Sequence, residues 1–125
     1  MTDPVAPVTA LLLTYIPRDG TNLGDYHQWL RDVDNPFFNG RPVVRRYVNW
    51  RVVESKLGDA AFTHFDLLEM AGSGGFDAVF GDGEIVAFAR NWVRQWGRVP
   101  DPDAPDQSSN YHVYVCEEIA SPTRR

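Results

Sequence analysis

A single cysteine, Cys116, excludes any disulfide within the chain and points to a reducing, cytoplasmic setting. Long apolar runs are missing as well. The longest, Val8 to Ile16, falls far short of the ~20 residues that a membrane-crossing helix needs. The opening residues include Asp3 and Pro4 in place of a basic signal-peptide start, so no membrane partner is expected. Basic charge is outnumbered: 12 Lys and Arg stand against 17 Asp and Glu, a net charge of −5, which on average repels phosphate backbones. Arg41, Arg45, Arg46 and Arg51 are the one dense basic group. Strand alternation divides them between two faces, and no nucleic-acid partner is expected.

Cofactor and metal signatures are also lacking. The run Gly72-Ser73-Gly74-Gly75 has no downstream Gly-Lys-Ser/Thr and reads as a flexible connector, not a phosphate loop. His27, His64 and His112 have no metal-ligand spacing, and one cysteine cannot complete a thiolate site. No cofactor and no metal is predicted. Cys116 has no local redox partner and is read as a buried strand residue.

What remains is an ordinary globular composition. The 125 residues, 43% apolar and 23% charged, suit one domain with its own core, expected over residues 8–118 with a short tail over 119–125. Val8 to Ile16, bounded by Pro7 and Pro17, reads as a central strand. Asn22 can cap a helix running from Leu23 to about Asp34, with Tyr26, Trp29, Leu30 and Val33 on its inward stripe; Pro36 should end it. A second strand is predicted over Val43 to Glu54. Its more apolar set, Val44, Arg46, Val48, Trp50 and Val52, is expected to meet the helices.

After a turn at Gly58-Asp59 comes a third strand, Phe62 to Glu69, with His64 and Asp66 on one face. A helical turn over 76–80 precedes a stronger helix, Glu84 to Gln95, whose Ile85, Phe88, Ala89 and Trp92 recur at core spacing while Trp96 closes the end. Pro100-Asp101-Pro102-Asp103-Ala104-Pro105-Asp106 is a stiff acidic loop able to shield an edge or cover a pocket. The last strand is predicted over Asn110 to Glu118. This order is the ferredoxin-like βαββαβ motif, an α+β fold with a four-stranded antiparallel sheet and its helices on one face. If the other face carries Tyr47, Phe62, Leu68 and Tyr114, it would leave a mixed apolar surface in water, and packing against a second copy removes that cost. A homodimer is expected.

The candidate chemistry sits on neighbouring strands. His64 and Asp66 lie beside the same-face set Tyr47, Asn49 and Arg51, and His112 and Tyr114 are expected to project into the same interior. His64 suits a base near neutral pH, with Asp66 assisting. Tyr47 or Tyr114 suits stabilisation of an enolate oxygen, Arg51 suits attraction of an acidic substrate, and Asp34 at the helix end is placed to reach the pocket mouth. The catalytic candidates are therefore His64, Asp66 and Tyr114; the substrate-binding candidates are Asp34, Tyr47, Asn49, Arg51 and His112.

Tyr26-His27-Gln28-Trp29, the exit Asp34-Asn35-Pro36 and the strand segment Val43-Val44-Arg45-Arg46-Tyr47-Val48 together resemble the EthD-like branch of the dimeric α/β-barrel proteins. The resemblance extends over roughly Val8 to Glu118. It implies small homodimers whose sheets face one another, and activities on aromatic or polyketide-like compounds. Where that family commonly carries a histidine before Ala-Pro, this chain has Asp34-Asn35-Pro36, which leaves Asp34 as a replacement acid or binding group. The functional expectation is a lyase or cyclase-like enzyme that moves a proton on a small aromatic or carbonyl-containing metabolite. The alternatives are a cofactor-independent oxygenase of an aromatic compound and a non-catalytic ligand-binding or accessory protein.

Overall fold

Strand β1 (Thr9–Tyr15) is apolar on both faces and takes a central place. A computed structural model describes residues 8–72, 74–98 and 110–122 of the chain. On one side β1 pairs antiparallel with β3 (His64–Met70) and on the other with β4 (His112–Glu117). Strand β2 (Val44–Arg51) joins the outer edge of β3, again antiparallel, to give the order β2-β3-β1-β4. The fold is the ferredoxin-like α+β arrangement, with strand limits a residue or more inside those expected except at the end of β3, which runs one residue further, to Met70. Residues 118–122 beyond β4 are exposed. The acidic segment Pro100 to Asp106 lies outside the described residues.

Helix α1 (Leu23–Trp29) begins at Asn22, whose side chain accepts from the backbone N–H of Asp25 at 3.0 Å. Its continuation differs from expectation. Instead of stopping before Pro36, the chain winds through a π-helical stretch, Leu30–Asp34, into α2 (Asn35–Asn39). The backbone N–H of Asn35 bonds to the carbonyl of Leu30, five residues back, and Pro36 falls in the first turn of α2, where its missing N–H matters least.

The wider turn has a second effect. In a regular helix a four-residue spacing drifts by about 40° per step, whereas here Tyr26, Leu30, Asp34 and Phe38 are all buried. Val33, expected in the core, is 42% exposed, and Asp34, expected at a pocket mouth, is 3% exposed.

Strand β2 departs in the same manner. Val44 pairs with Met70 and Arg46 with Glu69, so Arg45 is an extra residue, a β-bulge. One extra residue reverses the alternation beyond it. Tyr47 faces the helices, and Trp50, expected there, is 53% exposed on the outer side, stacked on Phe65 at 6.0 Å. Tyr47 and Leu68, expected on the uncovered face, are buried with Leu11, Leu13, Phe38 and Ile85.

The bulged edge is held by a side chain. Asn39 Oδ1 accepts from the Tyr47 N–H at 2.9 Å and its Nδ2 donates to the Tyr47 carbonyl at 3.0 Å. Asn39→Ala leaves the Tyr47 N–H unpaired, while the carbonyl keeps the hydrogen bond from Asn35 Nδ2 at 3.1 Å, and is expected to lower unfolding free energy by about 1–3 kcal/mol; chemical denaturation measures it.

The second helical layer is α3 (Gly75–Phe80) and α4 (Gly83–Trp96). Asp82 caps α4 by accepting from the N–H groups of Glu84 and Ile85 at 2.9 and 3.3 Å. Ile85, Trp92 and Val93 are buried, and Trp96 packs against Tyr26 with ring centroids 4.9 Å apart, closing the end as expected.

Candidate active site

Asp34, from the π-helical stretch, and Asp66, from the middle of β3, converge beneath the helices. They share two donors. The Tyr47 hydroxyl lies 2.7 Å from Asp34 Oδ2 and 3.1 Å from Asp66 Oδ2. Asn49 Nδ2 donates to Asp34 Oδ2 and to Asp66 Oδ1, each at 2.9 Å. Asn35 Nδ2 donates to Asn49 Oδ1 at 3.0 Å and so fixes which end of that amide faces the acids.

Counting protons assigns the ionisation. A phenol carries one proton, so Tyr47 donates to one carboxyl and must accept from the other. Asp66, 5% exposed, has its pKa raised well above the usual range by loss of water and then by the charge of Asp34. Asp34 is pushed up by burial to about 6, against the downward pull of the Tyr47 and Asn49 hydrogen bonds. The consistent arrangement is an Asp66 carboxylic acid donating to Tyr47, which in turn donates to an Asp34 carboxylate. Two acids whose surroundings push them to different proton affinities are the arrangement from which an acid and a base are made.

Asp34 Oδ1 is left over. Among the described residues no hydrogen bond engages it. Asp34, Asp66, Tyr47 and Tyr15 line a cavity of about 590 Å³ between the sheet and the helices. The rest of its wall is largely apolar and aromatic, including Phe38, Phe76, Phe88, Ala89 and Trp92. Behind the acids, Tyr15 and Tyr26 share a hydrogen bond of 2.7 Å and Trp92 Nε1 donates to the Tyr26 hydroxyl at 2.9 Å.

The remaining predicted residues divide. His64 is buried on the helix side beside Asp66, as the shared strand face requires, but it does not line this cavity. Its Nε2 lies 2.9 Å from Nε2 of His27 and its Nδ1 2.8 Å from Thr63 Oγ1. Burial, then the neighbouring His27 and Arg51, depress its pKa to about 4, so the ring is neutral at pH 7 with both nitrogens engaged. Its expected place on an open sheet face is corrected: the pleat points it under α1.

His112 and Tyr114 are not brought to the site. They sit opposite Thr14 and Leu12, on the outer pleat, and stack on each other at 6.1 Å. The residues of β4 that face the cavity side are Val113 and, just before the strand, Tyr111. Cys116 shares the outer pleat and is partly exposed, not buried as expected. His27 is half-buried against His64. Trp92 and Phe88 of the cavity wall were read from sequence as core residues, and the helical period that marks core is the same period that lines a pocket.

A ferredoxin-like α+β domain with a proton-sharing acid pair on the wall of an apolar cavity is therefore the class of protein defined. Its backbone is similar to the crystal structure of HapK from Hahella chejuensis, with a TM-score of 0.61 and 14% identity over 94% of this chain and 98% of that one. At that identity the likeness is one of fold. No protein-family model matches the chain, and no curated protein matches it. Among the described residues no helix is long and apolar enough to cross a membrane.

Proposed function

We propose that the chain is a lyase or cyclase-type enzyme that moves a proton on a small aromatic, carbonyl-containing metabolite held between the sheet and the helices. One observation carries this reading: Asp34 lines the cavity, and among the described residues Tyr47 and Asn49 hold its Oδ2 while no hydrogen bond engages its Oδ1. Asp34 takes the proton from carbon next to a carbonyl. Once protonated, Asp34 no longer holds the Tyr47 hydroxyl proton, which passes to the oxygen on which charge develops while neutral Asp66 replaces it and is left as the carboxylate. The base is thus Asp34 and not His64, whose nitrogens are both occupied. The cavity volume is ordinary for a small-molecule site, and its aromatic wall suits a planar ring system.

The test is exchange into solvent. Incubated anaerobically in D2O with 2-tetralone, a bicyclic aromatic ketone, the protein is expected to speed deuterium incorporation beside the carbonyl, read by NMR. Tight binding of such ketones with no acceleration of exchange sinks the enzymatic reading and leaves a ligand-binding protein. Substrate-dependent oxygen uptake favours the oxygenase alternative.

A second copy of the chain is the partner proposed for the outer sheet face. That face presents Trp50 and Tyr114, both about half exposed, together with the partly buried Phe65 and Leu67. Sheet-to-sheet packing removes them from water. Trp50→Glu is expected to convert a dimer to a monomer in sedimentation at micromolar concentration; a wild-type chain that sediments as a monomer rejects the proposal.

A further inference from the structure

A second cavity, of about 390 Å³, lies on the far side of Asn49 from the acid pair. It is bounded by His27, Arg31, Asn35, Asn49, Arg51 and His64, with apolar residues of α1 and β2 completing the wall. Its composition is unusual for this molecule. In a chain of net charge −5, no carboxylate among the described residues lines it, and the polar side chains of those residues on its wall are basic groups and amides.

The two arginines are not committed elsewhere. Among the described residues neither Arg31 nor Arg51 makes an ion pair. Both are exposed, and both act on His27 electrostatically, lowering its pKa after the larger effect of burial. Two guanidiniums beside a pair of imidazoles repel a metal cation, and among the described residues no group of three metal-ligating side chains forms.

We propose that this cavity is an anion-binding site, taking a carboxylate or phosphate group between Arg31 and Arg51 with uptake of a proton by the His27–His64 pair. The chemistry follows from the donors. Guanidiniums match the planar fork of a carboxylate or two phosphate oxygens, and the amides of Asn35 and Asn49 are neutral neighbours that need no rearrangement of charge.

The histidine pair supplies the proton linkage. Two imidazoles whose Nε2 atoms lie 2.9 Å apart hold one proton between them when both are neutral. A bound anion offsets the repulsion from the arginines and favours a further proton on Nδ1 of the ring that donates in that contact. His64 is faced by Tyr15 of β1 and Tyr26 of α1 through ring contacts, by His27 of α1, and by Arg51 of β2. Among the described residues the charges acting on His64 come from His27 and Arg51 and are positive, so an incoming anion is attracted there. Arg31, Arg51 and the two histidines play no part in the catalytic reading; the two sites meet at Asn49 and at Asn35, which orients it.

Calorimetric titration of the full chain with inorganic phosphate and with benzoate, each in two buffers of different ionisation enthalpy at pH 6.5, tests it. Expected is saturable binding accompanied by proton uptake. Arg31→Gln and Arg51→Gln each weaken it about tenfold, and as exposed positions they leave the fold intact. His64→Gln is expected to abolish proton uptake while retaining most of the affinity. Phosphate binding without benzoate assigns a phosphate ester, and benzoate binding assigns a carboxylate. Absence of saturable binding of either, equal affinity in the arginine variants, or proton release on binding overturns the proposal.

Discussion

Asp34→Asn is expected to lower the rate of ketone proton exchange by about 10²- to 10⁴-fold, the usual effect of losing a positioned base. The substitution is well suited to isolate that role. An amide oxygen in place of Asp34 Oδ2 can still accept from Tyr47 and Asn49, so the wall keeps its shape. The amide nitrogen then occupies the position of Oδ1, a donor where a lone pair had been. KM should change little, because the lost interaction is made with the moving proton.

The wild-type rate should rise with pH through about 6, as Asp34 releases its proton. The variant should lack that limb. A drop of less than about tenfold in kcat, or an unchanged pH profile, removes Asp34 from the base role.

Asp66→Asn is expected to make the protein more stable at pH 8 while nearly abolishing its activity. Both acids hold their protons more tightly in the folded chain than in the unfolded one. The folded state therefore binds more protons, and its advantage is complete below the unfolded pKa of 3.8 and lost as pH rises through the folded values. For Asp34 alone the interval from 3.8 to about 6 corresponds to roughly 3 kcal/mol, and Asp66, raised further by the charge of Asp34, loses more.

An asparagine at 66 reproduces the protonated acid. Its oxygen accepts from Asn49 and its amide donates to the Tyr47 hydroxyl, and it cannot ionise. Thermal melts of wild type and variant should coincide near pH 4 and separate as pH rises, with the variant melting about 10 °C higher at pH 8. A variant that is less stable at every pH contradicts the proton assignment. Such a gain in stability with loss of function is the signature of a site that is strained for chemistry.

The residues behind these two predictions were only partly legible in order along the chain. His64 and Asp66 share a strand face because alternation permits nothing else, and Tyr47 and Asn49 share theirs for the same reason. Those pairings were available from period two alone, and the register of β2 on β3 confirms that the two sets face each other. Which side of the sheet they occupy was not available. That depends on one bulge at Arg45, which carries no marking in the sequence, since any residue can be the extra one. Asp34 depends likewise on the wider turn before Pro36, where a proline that usually ends a helix is accommodated by a shifted hydrogen bond.

The chain's own pattern determined the strand and helix order, the antiparallel sheet, the caps at Asn22 and Asp82, and the apolar stripe of α4, because local periodicity and capping chemistry are encoded within a few neighbouring residues. Tertiary structure alone decided that Asp34 meets Asp66, that Tyr114 and His112 turn away, and that two arginines and two histidines share a wall. The first rests on the shifted helical phase before Pro36 and the others on which face of each strand meets the helices, and both are settled only when an element docks against something far away in sequence.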